Sequence, residues 1–367
     1  MKTILVLTNS LGGLFSFRKE VMVALLKKDY HVVVASPHDS EEREKYFFDI
    51  GCECEFNEID CRGTNPLHDI KLIIYYQKLI RKYKPLAILT YTIKPNIYGG
   101  VAARWLKVPQ LANITGLGSA VENPGLLQKF TIFMYRFGLK KARKVFYQNT
   151  SIEEFCQLHR IGKTGCLLPG SGVNLSWHSF QNYPLENSKM EFLFIGRVMR
   201  DKGVEEFFKM AKTIRQKYPQ TEFHILGKCD EHYEVQLQSL EKEGVVIWHG
   251  PVPDVRPYIK EAWCTIHPSY HEGMANVLLE TCSAGRPIIT SNIHGCQEAV
   301  DDGINGYLFK VKDTKDLISK VEQFVLLPYE QKVQMGLASR KKVELEFDRQ
   351  IVVNSYLNEI ESINYNV

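Results

Sequence analysis

Two stretches of this chain repeat an arrangement that few folds accept. Residues 4–8 form a short apolar run that leads through Asn9, Ser10, Leu11, Gly12 and Gly13 into apolar residues at helical spacing over 17–28. Residues 191–195 (EFLFI) form a second such run, followed by Gly196 and Arg197 and by a helical pattern from about 204 to 217. Between and after them the alternation continues. Residues 31–35 (HVVVA), 86–90 and 110–115 read as strands, with helical patterns at 69–83 and 96–106, and 223–226, 245–248, 264–267 and 287–290 read as strands each followed by a turn and a helix. Continuous β-branched runs separated by helices predict parallel strands covered on both faces. The expected fold class is therefore α/β, with two Rossmann-like, doubly wound domains. At 367 residues two cores are also what chain length leads one to expect. The boundaries fall at 1–170 for the first domain, 171–189 for a linker rich in Pro, Gly, Ser and Asn, and 190–345 for the second domain, with a final helix at 346–367 free to pack on the first.

The composition, 44% hydrophobic and 24% charged, is that of a globular protein without a run of eighteen apolar residues. No membrane-spanning helix is expected, and the start of the chain is too short in apolar residues for an export signal. Nine cysteines are scattered without a CxxC pair, which favours free thiols in a reducing cytoplasm over disulfides or zinc. A net charge of +4 is modest, and no nucleic-acid partner is expected.

The most informative segment is HPSYHEGMANVLLE, 267–280, where a strand ends, a polar loop follows and a helix is expected from Gly273 or Met274. Backbone N–H groups around Ala275, Asn276 and Val277 would lie at the positive end of that helix, which suits a phosphate. Glu280, about two turns in, would stand roughly 9 to 12 Å from the helix start, close to the span from a diphosphate to its ribose. Glu272 would lie beyond the phosphate, on the side of the group being transferred. In Gly196-Arg197-Val198-Met199-Arg200-Asp201-Lys202-Gly203 a strand ends at a glycine and two cations stand five residues apart, suited to charge-assisted bonds with a diphosphate.

These segments resemble the E-x7-E signature and the G-R-x4-K-G loop of family 4 glycosyltransferases of the GT-B fold, and the similarity runs along nearly the whole chain. The resemblance implies two domains facing a cleft and a retaining transfer of a sugar from a nucleotide donor, UDP in the related subgroup. It implies donor contacts from Arg197, Lys202, Glu272, Gly273, Met274, Ala275, Asn276, Val277 and Glu280, with Glu272, Arg197 and Lys202 carrying the chemistry. The leaving phosphate itself would take the acceptor proton. Gly12 and Gly13, where the chain turns from the first strand into its helix, are donor-side candidates because two glycines let the backbone approach a phosphate or sugar closely, although a plain turn explains them equally well. Many members carry a histidine near the donor sugar at the end of a first-domain strand, where this chain reads Thr115-Gly116, so that role is not carried over.

No D-x-D triplet is present, Asp301-Asp302-Gly303 sits in an expected turn, and His271-Glu272 lacks the second histidine of a zinc motif because position 275 is alanine. No cofactor and no metal are expected. His249, His267 and His294 read as core or turn residues rather than bases. In the first domain, 90–96 and 113–119 follow strands and border the cleft, which makes Lys94, Asn96, Thr115 and Gly116 the acceptor-side candidates. Both segments look like those of bacterial enzymes that build O-antigen, capsule or protein-linked glycans on undecaprenyl diphosphate, including α1,3-N-acetylgalactosaminyltransferases. A lipid-linked saccharide acceptor is then expected. Residues 126–146 and 72–84 mix basic with aromatic and aliphatic side chains and are candidates for peripheral contact with an anionic membrane, on the inner face of the cytoplasmic membrane. Two other readings stay open on the residues alone: a nucleotide-sugar epimerase of the same fold, and a sugar sensor without catalysis.

Overall fold

The computed structural model describes residues 1–57, 66–116, 125–230 and 233–364. The chain forms two units, residues 1–171 with 349–367, and residues 172–348.

The first unit is built on seven parallel strands: β1 (Thr3–Leu7), β2 (His31–Pro37), β3 (Glu53–Asn57), β4 (Ala87–Tyr91), β5 (Gln110–Ile114), β6 (Lys144–Tyr147) and β7 (Gly165–Leu167), in the order β3-β2-β1-β4-β5-β6-β7. Alternate residues of β1 and β2 point to opposite faces, and both faces are apolar because helices cover both. Ile4, Val6, Val32 and Val34 pack with the helix Leu11–Lys27 and with Val352, Val353, Tyr356 and Ile360 of the last helix, Arg349–Asn364. Leu5, Leu7, Val33 and Ala35 pack on the other face with Leu72, Tyr76, Leu79 and Ile80 of the helix Pro66–Tyr83.

The second unit repeats the design with β8 (Met190–Ile195), β9 (Thr221–Leu226), β10 (Ile247–Gly250), β11 (Cys264–His267), β12 (Ile288–Ser291) and β13 (Gly306–Phe309), all parallel in the order β10-β9-β8-β11-β12-β13. Phe192, Phe194 and Phe223 form its core with Phe207, Phe208 and Ile214 of the helix Val204–Lys217. In each sheet the strand order reverses beside the first strand, between β1 and β4 and between β8 and β11. Doubly wound sheets bind ligands at that point, beyond the carboxyl ends of the strands.

Several sequence expectations are corrected. Residues 172–189, read as a linker, belong to the second unit. The fully buried Arg286 donates to the carbonyls of Gln181, Asn182, Ala284, Gly285 and Lys260, and the Tyr183 hydroxyl donates to Trp263 O, so these residues are fastened down although they show no periodicity. The helix expected at 96–106 opens with a π-helical turn, Pro95–Gly99, before Gly100–Trp105. Strands β3, β6, β7 and β13 escaped the sequence reading; β6 and β7 are only four and three residues long. The basic stretch 126–146 divides into the helix Leu126–Gly138, a short turn and β6, whose Val145 and Phe146 are buried. All described cysteines are free; Cys61 lies outside the described residues. No described helix is long and apolar enough to cross a membrane.

Candidate active site

The loops after β8 and β11, neighbours at the reversal point, hold the two motifs. After β8 the chain runs through Gly196 and Arg197 into one tight helical turn, Arg200–Lys202, and then Gly203 at φ 69°. That left-handed conformation favours glycine. A Cβ there would stand 2.0 Å from Pro268 O, so only glycine lets this loop rest on the one that follows β11. Two backbone-directed bonds join the loops: Tyr270 N–H donates to Asp201 O at 2.8 Å, and Ser269 Oγ donates to the same oxygen at 3.3 Å. Motifs seventy residues apart in sequence are thereby brought side to side.

Lys202 Nζ donates directly to Glu272 Oε1, and His267 Nε2 lies 2.9 Å from the same oxygen. Burial would push the Glu272 carboxyl up, but the hydrogen bond and charge of His267, and then those of Lys202, bring it down to about 2. Glu272 is thus ionised at any physiological pH. Its loop is backed by Gly295 at φ 85°, whose Cβ would meet Glu272 O at 2.6 Å. Arg197 is the more open cation of the two, its side chain 61% exposed and its guanidinium 3.5 Å from Asp230.

The helix after this loop runs Asn276–Ser283, starting later than the expected Gly273 or Met274, because Ala275 N–H donates to Gly295 O at 2.8 Å and holds the chain non-helical up to that residue. Of the three amides expected to be open, that of Ala275 is therefore taken, while Asn276 and Val277 stand in a first turn that no side chain caps. Gly273 and the buried Met274 belong to the loop. Glu280 is the fifth residue of the helix, one turn in rather than two, about 6 Å along the axis from its start. Its Oε1 lies 3.9 Å from His178 Nε2. Beside it opens a cavity of about 370 Å³, lined by Trp177, His178, Gln181, Asp254 and Arg256 among others, with the Arg256 guanidinium 3.7 Å above the Trp177 ring and held by Asp254.

Residues 176–342 match the family described as glycosyl transferases group 1, and residues 5–149 match the glycosyl transferase 4-like family. The chain is a GT-B glycosyltransferase. It is 27% identical, over 98% of its own length and 99% of the relative's, to the N,N'-diacetylbacillosaminyl-diphospho-undecaprenol alpha-1,3-N-acetylgalactosaminyltransferase of Campylobacter jejuni. It is 26% identical to the UDP-Gal:alpha-D-GlcNAc-diphosphoundecaprenol alpha-1,3-galactosyltransferase of Escherichia coli, over 71% of each chain. A glycosyltransferase structure from Rickettsia africae superposes with a TM-score of 0.84 at 17% identity, covering 100% of this chain and 99% of that one.

In the first unit of this glycosyltransferase the candidate residues fare differently. Gly12 and Gly13 lie inside the first turn of the helix Leu11–Lys27, not in a turn before it. Their amides are already used: Gly12 N–H donates to Asp39 Oδ2 at 2.9 Å and Gly13 N–H to the N-capping Ser10 Oγ at 3.0 Å. Asn96, expected on the acceptor side, is buried. It accepts from Thr90 Oγ1 and donates to Asn113 O, both at 2.7 Å, and so ties β4 to β5 from within. Lys94 is neutralised by Asp69 at 2.8 Å, which also accepts from the Tyr98 hydroxyl. Thr115 and Gly116 follow β5, and a Cβ on Gly116 would meet nothing within 4 Å. Leu117, Gly118 and Ser119, the rest of that segment, lie outside the described residues.

Sequence reasoning missed the pairing of His267 with Glu272, and it overlooked Trp177, His178 and Arg256. His267 is a core residue, as expected, but it is also Glu272's partner, and a histidine closing an apolar strand just before the motif was the available signal. Trp177 and His178 carried none, since their segment read as linker.

Proposed function

We propose that this glycosyltransferase is a retaining enzyme that moves a hexose or N-acetylhexosamine from a UDP-sugar to an undecaprenyl-diphosphate-linked saccharide, without a metal ion. The observation that carries the donor reading is the meeting of Lys202 with Glu272 at the reversal point of the second sheet, beside an uncapped helix N-terminus, with the exposed Arg197 at the head of the same loop as Lys202. A diphosphate there would compete with Glu272 for Lys202, and His267 would keep the released carboxylate fixed. Bond cleavage adds charge to the departing nucleotide, so Arg197, Lys202 and the Asn276 and Val277 amides would act more strongly on the transition state than on bound donor. The acceptor and donor classes are supported by the two relatives, whose names give diphosphoundecaprenol acceptors and, in one, UDP-Gal. Both are named for alpha linkages, which from an α-linked nucleotide sugar amount to retention.

A panel of nucleoside diphosphate sugars in a thermal-shift assay tests the donor. A ligand at 100 times its Kd stabilises by about 2.7 kcal/mol, and UDP-sugars should give that rise while GDP-sugars do not. Glu280→Ala should weaken UDP-sugar binding by about tenfold or more, the loss of at least one charge-assisted bond worth about 1.5–3 kcal/mol. An unaltered Kd in that variant would remove Glu280 from the ribose.

The acceptor class suggests contact with a membrane. On the helix Leu126–Gly138, Leu126, Leu127, Phe130, Phe133 and Phe137 are 43% to 87% exposed, among exposed Lys129, Arg136, Lys140 and Lys141. Their spacing places the large apolar residues along one side, to enter a bilayer surface while the cations meet anionic headgroups. The second candidate stretch contributes less, since Leu72, Tyr76, Leu79 and Ile80 are buried. Flotation with vesicles containing anionic phospholipid should recover the protein at low salt and lose it at high salt. Phe130→Ser with Phe133→Ser should abolish recovery, and equal recovery of both proteins would contradict this surface.

A further inference from the structure

We propose a divalent transition-metal site on the second sheet, formed by Glu191 of β8 with Glu222 and His224 of β9. Glu191 and Glu222 are direct partners in the parallel register, and His224, two residues along from Glu222, lies on the same face. Like charges placed opposite each other weaken a sheet, and here two carboxylates are also partly withdrawn from water, with side chains 31% and 15% exposed. Lys189 engages Glu222 through Oε1 at 2.5 Å, which leaves Oε2 facing the histidine.

The three remaining donor atoms converge. His224 Nε2 lies 3.7 Å from Glu191 Oε2 and 3.7 Å from Glu222 Oε2, and all three atoms are within 4.8 Å of one another. That spacing is too long for a hydrogen bond, and Nε2 indeed has neither a hydrogen-bond partner nor exposed surface. It is close to the roughly 3.3–3.6 Å that separates ligands around a tetrahedral ion with bonds of 2.0–2.2 Å. The other ring nitrogen is also in place. His224 Nδ1 is 2.9 Å from His249 Nε2, with the two rings nearly parallel and their centroids 5.2 Å apart. Donation of an Nδ1 proton to His249 leaves the Nε2 lone pair turned toward the carboxylates, the outer-partner arrangement that orients a metal-bound imidazole. One imidazole and two carboxylates select a zinc-like ion over magnesium or calcium, which prefer oxygen ligands alone. Water would complete the coordination.

Glu191 and Glu222 stand at the second residues of their strands, whereas Arg197 and Lys202 follow the far end of β8. The ion would therefore staple β8 to β9 without entering sugar transfer. The test uses full-length protein stripped with EDTA and titrated with Zn²⁺ in competition with a chromophoric chelator, alongside melting curves with Zn²⁺ or Mg²⁺. Wild type should bind one equivalent more than His224→Gln and more than Glu191→Gln, a milder change at the most exposed ligand. Its Tm should rise by several degrees with Zn²⁺ and not with Mg²⁺, and transfer activity should be the same within about twofold in both variants. Equal zinc stoichiometry in wild type and Glu191→Gln, or a Tm indifferent to Zn²⁺, would overturn the site.

Discussion

Lys202→Ala is expected to lower kcat for sugar transfer by about two to three orders of magnitude, the usual effect of removing one preorganised donor to developing charge. Donor affinity should fall much less. Lys202 is engaged with Glu272, so part of its attraction for a diphosphate is offset by the contact it would give up. At cleavage the leaving group gains charge and nothing comparable opposes the lysine. Steady-state rates with a UDP-sugar, together with a Kd from calorimetry, separate the two effects. A variant that lost affinity and kept kcat would place Lys202 in ground-state binding alone.

Gly203→Ala should be strongly destabilising, for two separable reasons. A φ of 69° costs a non-glycine residue about 1–2 kcal/mol, and the added methyl would meet the Pro268 carbonyl oxygen at 2.0 Å, a backbone atom that a rotamer change does not move. A total of about 2–4 kcal/mol is expected, read as a fall in Tm. Gly303→Ala separates the causes, because Gly303 has φ 78° but nothing within 4 Å of its Cβ, so it bears the conformational cost alone. The Gly203 variant should also lose donor binding, since any retreat of its loop from the one after β11 carries Lys202 away from Glu272. Equal Tm values for the two variants would show that the loop contact contributes nothing.

Much of this site was legible from local pattern. The runs 4–8 and 191–195 announce strands because a doubly covered parallel strand has no polar face, and the glycine turns after them place ligands where such sheets bind them. Arg197, Lys202, Glu272 and Glu280 stood out for the same reason: their spacing lies within single strand–loop–helix units. Helix limits were less legible. The start at Asn276 depends on Ala275 N–H reaching Gly295, twenty residues away. The same holds for Asn96, whose place just after a strand suggested an acceptor contact although its buried amide bonds to Asn113 O of β5, and for residues 172–189, whose irregular sequence concealed their attachment to Arg286.

The sequence alone determined two parallel α/β sheets, the order of their main elements and the identity of the cations and carboxylates after β8 and β11. Those properties follow from periodicity and short-range stereochemistry. Only the tertiary structure decided that Lys202 and His267 share one oxygen of Glu272, that the Gly12 and Gly13 amides are already satisfied, and that Glu191, Glu222 and His224 aim at a common point. Each of these depends on where chain segments remote in sequence come to rest, and that is set by sheet register and close packing, which no local pattern encodes.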